Sequence, residues 1–405
     1  MSKAILVINA GSSSIKFAVF THSAAQRMAK TKLKKAEPLC HGEVDGIGAR
    51  TCFRASSEGG TTISTQQLVA DDHEQALTHI LDWLQQDMSS LRFAAAGHRV
   101  VHGGADFTRP VNVDDEVLER LKALIPLAPL HQPHALQAIE VLRQRLPGLT
   151  QVACFDTAFH AGMPLRERRF ALPRALWQEG VRHYGFHGLS YDYLSQVLPD
   201  YLGEAALDKV VLAHLGHGVS LCALTGGKSI ATTMSFTPLD GLPMGTRSGA
   251  IDPAIVLFLL RKGMTAGEIS NLLNHRSGLL GLSGVSDDMR ILLDSDAADA
   301  AEAVDIFCYR ICRALGSLAA AMGGLDALVF SGGIGEHAAP VRARICRASG
   351  WLGLEMDEAA NETNAACISA GSSRVSAWVI ATDEQKVIAK QTATVLEGES
   401  IDACG

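Results

Sequence analysis

Two segments about half a chain apart share one pattern, and this repetition narrows the choice of folds more than any other property. Residues 4–17 read AILVINAGSSSIKF and residues 209–220 read KVVLAHLGHGVS. Each is an apolar run, a polar turn that contains glycine and a second apolar run, which predicts a β-hairpin. A repeat at this distance predicts a duplicated α/β domain, although two unrelated hairpins would produce the same likeness.

Short apolar runs alternate with helical patterns along the chain, which is typical of α/β layers. Strands are expected at 4–8, 17–20, 93–96, 151–155, 210–215, 219–224 and 327–330. Apolar periodicity and start signals predict helices at 71–86, 114–124, 134–145, 253–260, 265–273 and 300–322. The duplication predicts a first domain of residues 1–155, to which a last helix within 384–405 returns, and a second domain of 156–383. A cleft between the halves is the expected ligand site.

Charge and composition exclude several classes of protein. Lys and Arg number 36 against 43 Asp and Glu, a formal net charge of −7, so we expect no nucleic acid and no anionic membrane as partners. The most apolar stretch, 314–330, is shorter than the ~20 residues of a membrane helix, and the run at 4–8 is too short for a signal peptide. Nine scattered cysteines without a CxxC pair predict neither disulfides nor a thiolate zinc site. We therefore expect a cytosolic protein.

Three segments are suited to binding anions. Residues 9–16 follow a strand and combine Gly11 with three hydroxyls and an ammonium, a set that can cradle a phosphoryl group. Arg99 ends an apolar run between glycines and suits a carboxylate or phosphate, with a structural ion pair as the alternative. Arg247 lies among small residues in the turn-rich segment 237–249 and predicts a second anion clamp. The basic run at 27–35 predicts only a solvated loop or strand edge.

Polar residues in further loops are candidates for catalysis. Asp156 follows a strand end, where α/β sites form, and His131 and His187 lie in loops beside apolar residues. A lone histidine is otherwise a hydrogen-bonded structural residue. The spacings His131/His134 and His214/His217 lack third and fourth ligands, so no histidine metal site is predicted. The glycine-rich turn at 330–336 suits close packing against a flat base or ribose.

Taken together, seven segments resemble, in the same order, those of the acetate kinase family of acyl-phosphate-forming kinases: 9–16, 97–104, 155–160, 184–188, 214–218, 237–249 and 332–336. The resemblance covers essentially the whole chain, and PLDGL with MGTRSG in 238–249 is nearly diagnostic. It implies the duplicated ribonuclease-H-like two-domain fold of actin, sugar kinases and chaperone ATPases, with an interdomain cleft. It also implies a homodimer and reversible, in-line phosphoryl transfer between ATP and acetate, giving acetyl phosphate and ADP.

The resemblance further implies a role for each matched residue. The catalytic set is Arg99, Asp156, His187 and Arg247. Acetate or acetyl phosphate would contact Arg99, Val101, Leu130, His131, Phe186 and Pro238. ATP or ADP would contact Ser12, Lys16, His214, Leu215, Gly216, His217, Gly218, Asp288, Met289, Arg290, Gly333, Ile334, Gly335, Glu336 and His337. Asn9 and Glu384 would hold Mg²⁺, with Mn²⁺ as the alternative ion.

The chain departs from the family pattern at several positions. His217 and His337 replace asparagines on the nucleotide side, and Ala250 replaces an aspartate. Leu189 and Tyr191 alter one segment, and Asp383 and Gln385 flank Glu384. Two alternatives stay open: a propionate or butyrate kinase, because one methylene changes binding by only ~1–3 kcal/mol, and a noncatalytic nucleotide sensor of the same fold. The small acid is favoured by Val101, and the sensor is supported only by the two histidines.

Overall fold

The alternating pattern folds into a mixed α/β architecture with two sheets. The computed structural model describes residues 2–11, 13–30, 33, 36–48, 50–57 and 60–398. The strands are β1 (Ser2–Ala10), β2 (Ser14–Thr21), β3 (Cys40–Asp45), β4 (Thr51–Ser57), β5 (Thr62–Leu68), β6 (Leu91–Val100), β7 (Val111–Asn112), β8 (Thr150–Phe155), β9 (Val210–Leu215), β10 (Val219–Thr225), β11 (Lys228–Thr232), β12 (Ala327–Ser331) and β13 (Ser376–Val379).

Helices make up most of the remaining regular structure. They are α1 (His22–Lys30), α2 (His73–Asp87), α3 (Asp115–Lys122), α4 (Gln132–Arg145), α5 (Leu165–Arg168), α6 (Arg174–Gln178), α7 (Gly188–Val197), α8 (Pro199–Leu202), α9 (Pro253–Arg261), α10 (Ala266–His275), α11 (Gly278–Ser283), α12 (Met289–Leu293), α13 (Ala298–Met322), α14 (Gly332–His337), α15 (Ala339–Ala348), α16 (Glu358–Glu362) and α17 (Glu384–Leu396). Short 3₁₀ turns span Ile125–Leu127, Ala158–His160, Gly203–Leu207 and Gly350–Leu352. Across the described residues, no helix combines the length and apolar character that crossing a membrane demands.

Both sheets repeat one strand order, which explains the repeated sequence pattern. In the first sheet, β5-β4-β3-β2-β1-β6-β8-β7, strands β3, β2 and β1 are antiparallel neighbours, and β6 and β8 continue parallel to β1. In the second sheet, β11-β10-β9-β12-β13, three antiparallel strands are again followed by two parallel ones. The predicted duplication and the α/β class are confirmed.

The chain divides into two compact units. Unit 1 comprises Met1–Ala161, Gly188–Val197 and Asp383–Gly405, and unit 2 comprises Gly162–His187 and Leu198–Thr382. This division differs from the expected domains, 1–155 with 384–405 and 156–383, because 156–161 and 188–197 belong to unit 1. The physical reason is that the backbone of Gly188 lies very close to that of Asp156. Gly188 N donates to Asp156 O at 2.9 Å, and a Cβ on residue 188 would lie 2.0 Å from that oxygen.

Helices cover both faces of the unit 1 sheet. Ala4, Leu6 and Ile8 alternate along β1 and share one core cluster with residues of α2 and α4. On the other face α17 packs against β1, β6 and β8. A Cβ on Gly97 of β6 would lie 2.1 Å from Thr392 Oγ1 of that helix. Only glycine lets the strand and the helix approach so closely.

The predicted helices are confirmed, with ends that differ by about two residues, and side-chain caps account for several starts. Asp72 caps α2 and Asp114 caps α3, each by accepting a backbone hydrogen bond. Thr265 and Glu268 form a capping box at α10. The prediction for the basic run at 27–35 was wrong for its first part. Residues 27–30 belong to helix α1 rather than to a loop or strand edge. Residues 31, 32, 34 and 35 lie outside the described part.

Candidate active site

Three neighbouring parallel strands of the unit 1 sheet end at one edge, and each brings a polar side chain there. Asn9 lies near the end of β1, Arg99 near the end of β6, and Asp156 directly follows β8. Glu384 is the first residue of α17, and its Oε2 accepts a hydrogen bond of 3.0 Å from Asn9 Nδ2. Carboxyl ends of parallel strands meet at the same edge, so residues distant in sequence become neighbours. Unit 1 therefore joins these four predicted site residues.

Asp156 holds the guanidinium of Arg99 along one side. Arg99 Nε donates to Oδ1 and Oδ2 of Asp156 at 3.2 and 3.0 Å, and Nη2 donates to Oδ2 at 2.6 Å. Arg99 Nη1 donates to Asn9 Oδ1 at 3.3 Å. An arginine has five N–H groups. One hydrogen on Nη1 and one on Nη2 therefore find no acceptor among the described residues.

Burial and charge keep this guanidinium ionised. The side chain of Asp156 is 1% exposed and that of Arg99 18% exposed. Burial by itself lowers the pKa of Arg99, but the charges of Asp156 and Glu384 outweigh it, and the pKa is raised. A rigid, permanently charged guanidinium at a partly dry position is suited to a carboxylate or a phosphate.

Asn9 and Glu384 provide oxygen atoms, the ligands that Mg²⁺ and Mn²⁺ prefer. Asn9 Oδ1 has a second lone pair besides the one used by Arg99. Nowhere in the described ranges do three His, Cys, Asp or Glu side chains cluster as a metal cage. A Mg²⁺ that accompanies a nucleotide usually takes one or two protein carboxylates and fills its shell with phosphate oxygens and water. The two residues fit such a shared ion, with Glu384 as the charged ligand.

The 9–16 segment spans the turn between β1 and β2 and the adjoining strand ends. Asn9 and Lys16 are cross-strand partners, and Gly11 N donates to Ser14 O at 2.8 Å. Cross-strand partners lie on the same face of a sheet, so the hairpin keeps the exposed Lys16 beside Asn9. Ser12, the other predicted nucleotide ligand of this turn, lies outside the described residues.

In unit 2, His187 adopts a backbone conformation that is uncommon for a residue with a side chain. Its φ is 58°, in the left-handed region. His187 Nδ1 and Ser220 Oγ share a hydrogen bond of 2.8 Å, and the ring packs 4.3 Å from the ring of His214. Strained residues of this kind cluster at functional sites. The contacts fix the ring and therefore the direction of its Nε2.

Gly218 provides the space in which His187 and Arg247 approach each other. A Cβ on residue 218 would lie 2.9 Å from His187 Nε2 and 3.0 Å from Arg247 Nη2. Arg247 Nη1 donates to Pro238 O at 2.7 Å, which orients the guanidinium. Two nitrogen groups thus converge over one glycine, an arrangement suited to the oxygens of an anion.

His217, which departs from the family pattern, connects three segments of unit 2. Its side chain is 64% exposed, and its Nε2 lies 3.3 Å from Asp287 Oδ2. Its ring carbon Cδ2 lies 2.9 Å from where a Cβ of Gly245 would be, and Gly245 N donates to His217 O at 3.3 Å. The histidine therefore joins the 214–218 turn to the 237–249 segment and to Asp287.

Of the three residues at 288–290 that are predicted to contact the nucleotide, two have side chains at the surface and one has its side chain in the core. Asp288 caps α12 and accepts from Arg290 Nε at 3.1 Å and from Nη2 at 2.5 Å. The hydrogen bond from Arg290 lowers the pKa of Asp288. Met289 is 3% exposed and belongs to the core, so its side chain presents almost no surface to a ligand.

The glycine-rich turn after β12 becomes helix α14. Gly332 has φ 74°, and a Cβ there would lie 2.8 Å from Leu215 O. The carboxylate of Glu336 folds back on this turn and accepts from Gly332 N at 2.9 Å. Gly333 is exposed, with open space where a Cβ would be. The turn therefore presents backbone, rather than the Glu336 carboxylate, at its surface.

The residues predicted to form the acyl pocket are divided between the units. Val101, Leu130 and His131 belong to unit 1, while Phe186 and Pro238 belong to unit 2. Val101 and Phe186 are buried. His131 directly precedes α4 as its N-cap residue.

Other departures from the family pattern have structural roles. Leu189 and Tyr191 are buried in α7, and the Tyr191 ring packs edge-on against His160 at 5.6 Å. Asp383 caps α17 by accepting from Lys386 N at 3.1 Å. These residues therefore serve in packing and in the start of a helix.

Three polar residues that contact predicted site residues were not identified from the sequence. Ser220 ends the second repeat, and Asp287 directly precedes Asp288, so their positions offered a weak signal. Arg342 offered none. It is fully buried and donates to Gly335 O at 2.9 Å and Glu336 O at 3.0 Å, which holds the end of α14. Burial of an arginine is decided by distant acceptors, not by local pattern.

The chain is similar to known proteins over nearly its whole length. The model of the Acetokinase family matches residues 4–390. An acetate kinase of Rhodopseudomonas palustris (strain TIE-1) is 51% identical over 403 residues, which are 98% of this chain and 100% of that protein. The crystal structure of Porphyromonas gingivalis acetate kinase is 36% identical, with a TM-score of 0.84 and coverage of 98% and 100%. That of a Francisella tularensis propionate kinase is 37% identical, with a TM-score of 0.87 and coverage of 96% and 99%.

Proposed function

The chain belongs to the acetokinase family, and on that premise we propose that it transfers the γ-phosphoryl group of ATP to acetate, giving acetyl phosphate and ADP, and catalyses the reverse reaction. The observation that carries this proposal is the guanidinium of Arg99. Asp156 and Asn9 fix it, yet one hydrogen on each terminal nitrogen has no acceptor within the described part of the chain. Two such N–H groups match the two oxygens of a carboxylate. Arg99 therefore binds and orients the acid.

Acetate needs orientation and charge neutralisation rather than deprotonation. A simple carboxylic acid is ionised at neutral pH, so its oxygen attacks the γ-phosphorus without a general base. The new O–P bond forms as the bond from the γ-phosphorus to the β,γ-bridging oxygen breaks, and that oxygen leaves with ADP. Asp156 therefore holds Arg99 in place and takes up no proton.

The remaining barrier is repulsion between anions, which oriented hydrogen-bond donors offset. His187 and Arg247 converge over Gly218 and stabilise the equatorial oxygens of the phosphoryl group in transit, because they are already oriented before the reaction begins. The turns at 214–218 and 333–337 bind the nucleotide, together with Asp288 and Arg290. Lys16 and Ser12 bind its phosphates.

The ion that accompanies ATP is Mg²⁺, with Mn²⁺ as a substitute, and Glu384 and Asn9 hold it. When bound, such an ion neutralises charge on the phosphate oxygens. Glu384 supplies the negative charge of the site. Asn9 orients that carboxylate through its 3.0 Å hydrogen bond.

Acetate is the preferred acid over propionate and butyrate. The buried side chain of Val101 favours a short acyl chain. One methylene in an apolar pocket changes binding by only ~1–3 kcal/mol, or about 10–200-fold in rate. We therefore expect measurable activity with propionate.

The protein forms a homodimer through helix α9. Ile255, Leu257, Phe258 and Leu260 of this helix are 44–52% exposed. A helix that is apolar on all sides is normally buried, and an exposed apolar patch of this kind is typical of an interface. A second copy of the chain is the occupant we propose, because two-fold dimers are the commonest oligomers.

The cytosol is the compartment we propose. The eight described cysteines are free thiols, which is typical of proteins in a reducing compartment. Burial raises the pKa of Cys40 to about 12, so this thiol stays protonated.

Trapping of the acyl phosphate with hydroxylamine tests the proposed reaction. The purified protein is incubated with MgATP, hydroxylamine and acetate, propionate or butyrate, and the hydroxamate is measured; a sample without acid measures ATP hydrolysis. The largest yield is expected with acetate. No hydroxamate with any acid, despite tight nucleotide binding, would refute the kinase and favour the sensor.

A further inference from the structure

Helix α2 begins at a histidine that contacts the turn of the β1–β2 hairpin. Asp72 caps the helix by accepting from Gln75 N at 2.9 Å, so His73 is the first helical residue, and it is buried. His73 Nε2 lies 2.7 Å from Gly11 O. A carbonyl oxygen only accepts hydrogen bonds, so Nε2 carries the hydrogen and donates it.

A second histidine supports the first. The ring of His134, on α4, stacks on that of His73 with 4.1 Å between centroids and 21° between planes. Burial lowers the pKa of His134, and the nearby His73 lowers it further. The His73 ring is therefore held between the Gly11 carbonyl and a stacked ring.

The helix that carries His73 is itself fixed to the sheet. Leu77, Ile80 and Trp83 of α2 belong to the core cluster that contains Phe17 of β2, and the rings of Trp83 and Phe17 lie 5.9 Å apart. The peptide groups of Gly11 thus have two anchors. Its N–H bonds to Ser14 O within the hairpin, and its carbonyl bonds to a rigid helix outside the hairpin.

We propose that His73, supported by His134, is a positioning residue for phosphoryl transfer. It holds the Gly11 carbonyl and thereby the turn that carries Asn9 at one end and Lys16 at the other. The inference rests on the proposed function, in which those two residues act on the metal and the phosphates. Loss of the hydrogen bond loosens the turn and lowers turnover. Acetate binding is little affected, because Asp156 makes most of the hydrogen bonds that hold Arg99.

Three variants test this role. His73→Phe keeps a flat ring against His134 but removes the donor, and His73→Gln returns an amide nitrogen close to the position of Nε2. His79→Phe is the matched control on the same helix. The ring of His79 packs edge-on against Phe53 at 4.9 Å, and its Nε2 has no hydrogen-bond partner within the described ranges.

The expected result is a split between kcat and KM. In His73→Phe, kcat falls about three- to tenfold, the effect of one hydrogen bond, while KM for acetate stays within about twofold. His73→Gln recovers at least about half of the wild-type kcat, and His79→Phe equals the wild type. An unchanged kcat in His73→Phe, or equal losses in His73→Phe and His79→Phe, would overturn the proposal.

Hydrogen exchange separates this inference from the proposed reaction. Backbone exchange in a peptide covering 9–16 should be about three- to tenfold faster in His73→Phe and unchanged in His79→Phe, with no substrate present. Unchanged exchange in both variants would also overturn the positioning role. A wild-type protein that forms no acyl hydroxamate would refute the kinase, and the exchange rates would still decide whether His73 holds the turn.

Discussion

Replacing Arg99 with alanine should lower turnover and also destabilise the protein, because the buried carboxylate of Asp156 loses its arginine partner. The variant removes a guanidinium that donates to Asp156 at 3.2, 3.0 and 2.6 Å. Breaking a buried ion pair by deleting one partner destabilises by roughly 3–5 kcal/mol. For a domain of about 150–250 residues, each kcal/mol lowers Tm by roughly 2–4 °C. We therefore expect Tm to fall by about 6–20 °C and kcat by at least about 10²-fold.

A double variant separates the two effects. Arg99→Leu with Asp156→Leu removes both charges and keeps apolar volume, which is often neutral for a buried pair. Its Tm should return most of the way to that of the wild type, while its kcat stays as low as that of Arg99→Ala. Thermal unfolding followed by circular dichroism and the hydroxamate assay measure the two quantities on the same preparations.

Two outcomes would refute this reasoning. Arg99→Ala melting within about 2 °C of the wild type would mean that water screens the pair, as it does for surface ion pairs. A double variant with near wild-type turnover would remove Arg99 from the mechanism.

Four further outcomes are expected. Gly218→Ala displaces the two side chains that converge over it and lowers kcat roughly 10²-fold, whereas Gly267→Ala, in open space on α10, leaves steady-state rates unchanged. His217→Ala removes the exposed contact with Asp287 and raises KM for ATP about two- to fivefold, while KM for acetate is unchanged. Glu384→Gln raises the Mg²⁺ concentration for half-maximal activity about tenfold or more, and EDTA abolishes wild-type activity. Phe258→Glu converts the dimer into a monomer by light scattering, and a persistent dimer would exclude α9 from the interface.

Local patterns were sufficient for most of the fold. The hairpin β1–β2 and the helix α2 follow from apolar periodicity and turn residues within a few positions of each other. Residues 27–30 were misassigned because lysine and arginine signal exposure, while Ala24, Ala25 and Met28 of α1 are buried on its inner face. The compact units differ from the expected domains near residue 156, because the contact between Gly188 and Asp156 joins residues distant in sequence.

The sequence by itself determined the α/β class, the duplication, the family and a set of candidate site residues, because these depend on local periodicity and on motifs that stand in order along the chain. Only the tertiary structure decided which candidates meet. Arg99 pairs with Asp156 and Asn9 with Glu384, across 57 and 375 residues, and His187 pairs with Ser220. It also showed His73 bonded to Gly11. Hydrogen bonds act over about 3 Å, so their partners are set by how strands and helices pack, and no pattern along one segment encodes them.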